Sequence, residues 1–138
     1  MTRSQPRGWK IAGIAVVICV AATAAVLTWK AEQRHVEMVQ TARAMTGGDP
    51  SQAPELFLRY GCAGCHTIPG VPGADGQVGP DLAGLRNRVY VGGVVRNTAA
   101  NLIGWIVAPQ NFSSRSAMPA TGINDAQARD LAAYLYSH

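Results

Sequence analysis

Five consecutive residues, Cys62-Ala63-Gly64-Cys65-His66, constrain this chain more than any other stretch of it. Two thiols three positions apart, followed at once by an imidazole, form the C-x-x-C-H pattern that attaches c-type haem. On one helical turn, each thiol can bond one vinyl group of a single porphyrin. The histidine is then held under the ring, where it can ligate iron. A zinc site would need a second pair of ligands, and the only other cysteine, Cys19, lies in an apolar run far upstream. A redox dithiol would call for a βαβ context, which the flanking residues do not supply. One covalent haem c is the cofactor this stretch implies.

The 138 residues leave room for one small domain and a targeting segment. The formal net charge of +4 is unevenly divided. Residues 1–50 carry six Lys/Arg against Glu32, Glu37 and Asp49, whereas residues 51–138 carry six Arg against Glu55, Asp75, Asp81, Asp125 and Asp130. No lysine follows Lys30. The C-terminal part is therefore nearly neutral, and no nucleic-acid partner is expected. Its 88 residues hold few large aliphatic side chains. A domain of that size has a thin core, which a bound haem would enlarge.

Ile11 to Trp29 is an unbroken run of 19 uncharged residues between Lys10 and Lys30. As a helix it would span about 28 Å, close to the ~30 Å hydrocarbon core of a bilayer. Trp9 and Trp29 stand at its ends, where aromatic rings favour the interface. Small residues at Ala21, Ala22, Ala24 and Ala25 also offer a signal-peptide cleavage region, which would release a soluble periplasmic carrier. Apolar character continues beyond them to Trp29, so an uncleaved transmembrane anchor over 11–29 is the preferred reading. Cys19 lies within the run behind Ile18, which is too large for a lipoprotein signal.

Arg3, Arg7 and Lys10 put residues 1–10 on the cytoplasmic side. Haem c is attached outside the cytoplasm, so the C-terminal domain belongs on the periplasmic face. Residues 30–50 read as stalk and linker. Ala31 to Thr46 lacks Gly and Pro, and Val36, Val39 and Met45 give it a loose apolar stripe. Gly47-Gly48-Asp49-Pro50 then breaks the helix and forms a short hinge.

Residues 51–138 read as an all-α domain of three main helices separated by long loops. Ser51 can cap the first, with Pro54 tolerated in its first turn and Leu56, Phe57 and Tyr60 on one face. The stretch from His66 to Asp81 is rich in Gly and Pro and reads as loop. Asn97 or Thr98 starts a second helix that carries Leu102, Trp105 and Ile106 and closes at Pro109. Asn124 begins the last, with Gln127 completing a capping-box-like pair and Ala128, Leu131, Tyr134 and Leu135 forming the apolar stripe. Val89 to Val95 is strand-like, but Gly92-Gly93 interrupts it, so no strand is expected.

An electron-transfer haem needs a second axial ligand, for which Met1, Met38, Met45, Met118, His35 and His138 are the candidates. Met118 is the lone methionine of the domain, and Pro119 stiffens the backbone beside it. His138 is terminal and expected to fray, and His35 lies beside the membrane. His66 should donate its second ring nitrogen to a carbonyl, and Pro80 is a candidate acceptor.

Over residues 51–138 the chain resembles the class I cytochromes c. The matching features are the helix into Cys62-Ala63-Gly64-Cys65-His66-Thr67-Ile68, then Gly79-Pro80-Asp81-Leu82, then Met118-Pro119 before a Tyr-bearing last helix. Three stretches are more narrowly similar to the cytochrome c domain fused to subunit II of some bacterial haem-copper oxidases. These are Val78-Gly79-Pro80-Asp81-Leu82, Asn97-Thr98-Ala99-Ala100-Asn101-Leu102 with Trp105-Ile106, and Pro109-Gln110 leading to Met118-Pro119-Ala120. Nothing here supplies the Cys and His ligands of a copper domain, so a free-standing, membrane-tethered cytochrome is expected.

The resemblance implies the cytochrome c fold, with its first and last helices crossing and Phe57 near Leu131 and Tyr134. It implies His66 and Met118 as iron ligands, Pro80 as the acceptor for His66, and Arg88, Tyr90 and Trp105 near the haem propionates. The expected role is electron carrier rather than enzyme, with quinol:cytochrome c reductase and a terminal oxidase as partners. A haem subunit of a larger oxidase or dehydrogenase, and a gas- or peroxide-binding protein with a labile Met118, are the alternatives.

Overall fold

Arg7–Thr46 form one continuous helix, α1, in the computed structural model, which describes residues 7–138, with side chains from Ile11 onward. Residues 1–6 of the expected cytoplasmic segment, with the candidate ligand Met1, and the side chains of residues 7–10 lie outside the described residues. Two units divide at Val36 and Glu37.

The described residues of the first unit are helix alone. Every side chain from Ile11 to Val36 is exposed, including Val17 at 67% and Leu27 at 63%. Over 11–29 the helix is apolar on all sides, a surface suited to lipid rather than to water. Thr23 and Thr28 return their hydroxyls to the carbonyls of Cys19 and Ala25, at 2.8 and 2.9 Å, so their polar groups need no solvent. Among the described residues this is the one helix long and apolar enough to cross a membrane.

The second unit starts with the last turns of α1. Met38 and Val39 are half-buried, and Ala42 and Thr46 are fully buried. The buried face therefore differs from the expected stripe, since Val36 and Met45 stay exposed. Gly47 ends the helix with φ +71°, and its N–H donates to the Arg43 carbonyl at 2.8 Å.

The Gly47-Gly48-Asp49-Pro50 break is packed rather than free. Gly48 lies so close to the backbone of Arg129 and Asp130 that a Cβ would overlap it. The Asp49 N–H donates to Asp130 Oδ1 at 2.7 Å, and Arg129 Nη1 donates to the Thr46 carbonyl at 3.0 Å. The Asp49 carboxylate accepts from Ser51 N at 3.1 Å and pairs with Arg43 at 2.5 Å. Asp49, not Ser51, is thus the cap here, and it starts a single 3-10 turn over Pro50–Gln52. An Asx carboxylate competes well for that position because it accepts as an anion.

Helix α2, Ala53–Arg59, buries Leu56 and Phe57, and Pro54 sits in its first turn, where a missing N–H has no acceptor. Gly61, at φ +73°, turns the chain into the one-turn helix α3, Cys62–Cys65. After a long loop, β1 (Tyr90–Val91) pairs antiparallel with β2 (Val95–Arg96). This corrects the expectation of no strand. Gly92 and Gly93, read as an interruption, are the hairpin turn itself, with φ +57° and +71° and Val94 N donating to Val91 O.

Helix α4, Ala99–Val107, is capped by the Thr98 hydroxyl and buries Leu102, Ile103 and Ile106. Helix α5, Asp125–Ser137, opens on the full Asn124–Gln127 capping box and buries every residue from Leu131 to Ser137. It packs on both α2 and α4. Phe57 meets Tyr134 edge-on, with ring centroids 5.5 Å apart. His138, expected to fray, stacks its ring on Tyr134 at 3.9 Å. The architecture is mostly helical with a long apolar N-terminal helix, as expected.

Gly48→Ala should therefore destabilise the domain by about 1–3 kcal/mol, because backbone rather than a flexible side chain must yield; thermal unfolding measures it. Hydrogen bonds from Ser51 and the Arg43 guanidinium hold the Asp49 carboxyl below the usual carboxylate range. Its stabilisation is present above that range and is lost as pH falls through the lowered value. Asp49→Asn should flatten this acid limb in an unfolding titration against pH.

Candidate functional site

The loop, the hairpin and three helices of the second unit enclose one largely apolar cavity of about 330 Å³. Phe57 of α2, Leu102 and Ile106 of α4, and Leu131 and Leu135 of α5 form its inner wall. All eight residues singled out from the sequence line it: Cys62, Cys65, His66, Pro80, Arg88, Tyr90, Trp105 and Met118. Residues 56 positions apart are thus brought to one chamber, with the two thiols and the imidazole entering from α3 and Met118 from the loop before α5.

Both thiols are free and half-buried. Burial pushes the Cys62 thiol up, so it stays neutral at physiological pH. His66 stands at the end of α3, and its Nδ1 lies 2.7 Å from the Pro80 carbonyl. A carbonyl only accepts, so Nδ1 carries the proton and Nε2 keeps its lone pair. The proline fixes the carbonyl, and the carbonyl fixes the ring. Gly79 lets this happen, since a Cβ there would overlap the imidazole. The Gly79 N–H also donates to the Cys65 carbonyl at 2.7 Å, closing the loop over α3.

The opposite wall is built from the hairpin. Gly92 is so close to the Trp105 ring that it admits no side chain, and Trp105 in turn rests on Phe112 at 6.1 Å. Arg88 donates from Nη2 to the carbonyls of Asp81 and of Ala83, the latter at 3.2 Å. Asn97 ties this wall together. Its Nδ2 donates to Leu85 O and Arg88 O at 2.8 and 2.9 Å, and its Oδ1 accepts from the Tyr136 hydroxyl at 2.7 Å.

A model of the cytochrome c family matches residues 51–138. The chain belongs to the cytochrome c family. It is accordingly a haem c electron carrier, and the family's covalent haem c is its cofactor. No curated protein and no solved structure shows a significant match to it. The fusion to an oxidase subunit remains a likeness of three sequence stretches only.

The residues present fit such a group. The cytochrome's cavity is apolar, two free thiols and a tautomer-fixed imidazole open into it, and at Gly79 and Gly92 a side chain would overlap the residues that wall it. Several wall residues were not legible as such in the sequence. Gly79 and Gly92 carry no chemistry, and Leu102, Leu131 and Leu135 look like ordinary core. The only signal for Gly79 was its place before the rigid Pro80. Tyr60, read as part of an apolar face, also donates its hydroxyl to Gln127 Oε1 at 2.7 Å.

Gly79→Ala should lower the yield of haem-bearing protein severalfold, measured as pyridine haemochrome per polypeptide. Gly64→Ala, where an added Cβ meets nothing within 4 Å, should leave it unchanged.

Proposed function

We propose that this cytochrome is anchored in a bacterial cytoplasmic membrane by residues 11–29 and relays single electrons on the periplasmic face. Cys62 and Cys65 would hold the porphyrin, and His66 and Met118 would ligate its iron. The observation that carries this reading is the meeting of all four residues in one apolar cavity, with His66 Nδ1 committed to Pro80. When bound, the haem supplies a one-electron couple; the chain sets its environment. The Pro80 carbonyl orients the imidazole and raises its basicity. With Met118 as the second ligand, the thioether would favour a higher reduction potential than a second imidazole, and two protein ligands would disfavour substrate binding. The apolar walls exclude water, and Arg88, Tyr90 and Trp105 line the same cavity and would lie near the propionates.

The proposed route runs from a quinol:cytochrome c reductase to a terminal oxidase. The domain has no lysine and is nearly neutral, which argues against strong electrostatic steering. Val78 and Tyr90 both line the cavity, and they are 84% and 50% exposed. Such side chains suit a short-range apolar contact, and a membrane tether reduces the need for diffusional capture. The same features favour, as a second reading, a stable place in a larger respiratory complex.

Met118→Ala should leave the haem attached, abolish the Met–iron charge-transfer band of the oxidised protein and allow rapid carbon monoxide binding when reduced. An unchanged spectrum would remove Met118 from the site. Changing Cys62 and Cys65 together to Ala should abolish covalent haem. Intact mass of the protein purified from membranes should equal the full chain plus one haem; a mass lacking residues up to about Ala25 would overturn the anchor.

A further inference from the structure

The loop that carries Met118 is held by few polar contacts. From Ala117 to Ile123 it makes no backbone–backbone hydrogen bond among the described residues. Gly122 lies in the left-handed region at φ +78°, and Met118 itself is only half-buried. Two side chains reach its backbone. Ser116 Oγ accepts from the Met118 N–H at 3.3 Å, a long bond within the same loop. Gln110 Nε2 donates to the Met118 carbonyl at 2.7 Å, from outside it.

Gln110 is well placed for that purpose. It belongs to the 3-10 turn Pro109–Asn111 that follows α4, and Pro109 is fully buried. The next residue of that turn's exit, Phe112, packs against Gly104, where a Cβ would crowd its ring, and against Trp105. The turn that carries the donor is thus packed against Trp105 of the cavity wall, with Gln110 itself exposed. The acceptor is the residue before Pro119, whose own nitrogen has no hydrogen to give.

We infer that Gln110 is a positioning residue for the axial ligand: its amide pins the Met118 backbone to the end of α4 and holds the thioether in place. This rests on the reading of Met118 as an iron ligand. A single side-chain hydrogen bond of this kind shifts an equilibrium by roughly threefold to tenfold. Its loss therefore does not unfold the domain, but it favours any external ligand that must displace Met118. Glutamate at the same position presents only acceptors at neutral pH and repels the carbonyl.

The test is competition by imidazole for the oxidised holoprotein, with the full chain in detergent. Gln110→Ala and Gln110→Glu should each tighten the apparent Kd for imidazole by roughly threefold to tenfold and weaken the Met–iron band in parallel. In a Met118→Ala background, where nothing is left to displace, neither change should alter the Kd further. If Met118→Ala leaves imidazole affinity unchanged, the ligand assignment falls. If it raises the affinity while both Gln110 variants bind as the native protein does, the inference about Gln110 falls and the ligand assignment stands. An effect of Gln110→Ala that persists undiminished in the Met118→Ala background would also overturn it, since it would then act on the cavity and not through Met118.

Discussion

The contact between α2 and α5 is the constraint on which the rest depends. Phe57 and Tyr134 meet edge-on at 5.5 Å, and Phe57 is one of the most fully buried side chains in the molecule. They are 77 residues apart, so this contact closes most of the second unit into one loop. The entropy of that closure is large, and a thin core repays it only because both helices also face the cavity. Phe57, Leu131 and Leu135 serve the core on one side and the haem chamber on the other.

The closure extends further upstream than the family match. The match starts at residue 51, yet Ala42, Thr46 and Pro50 are buried and Asp49 is tied to Asp130. The segment before the domain is thus built onto α5, the same helix that completes the core. A linker with two adjacent glycines would ordinarily be expected to flex. Here Gly48 is glycine for space, because the α5 backbone passes against it.

Rigidity around the cavity follows the same principle. The imidazole, the indole and the Met118 loop are each held by a group that carries no redox chemistry: Pro80, Gly92 and Gln110. The exposed Val78 and Tyr90 mark where the enclosure thins towards solvent.

Residues able to carry haem chemistry were legible in the sequence because covalent and coordinate bonds demand particular atoms at particular spacings. Cys62, Cys65, His66 and the lone domain methionine needed no fold to be noticed, and the apolar run and the Asn124 cap follow from periodicity and local hydrogen bonding. What remained hidden was anything defined by a distant neighbour. Asp49 displaced Ser51 as a cap, Gly92-Gly93 became a turn, and His138 found a partner in Tyr134. Gly48 and Gly79 matter only for the space that α5 and His66 require. By itself the sequence determined which atoms could hold a haem and that an apolar helix precedes them. Only the tertiary structure decided that those atoms share one chamber, because close approach between residues far apart in the chain is a property of packing and leaves no local pattern.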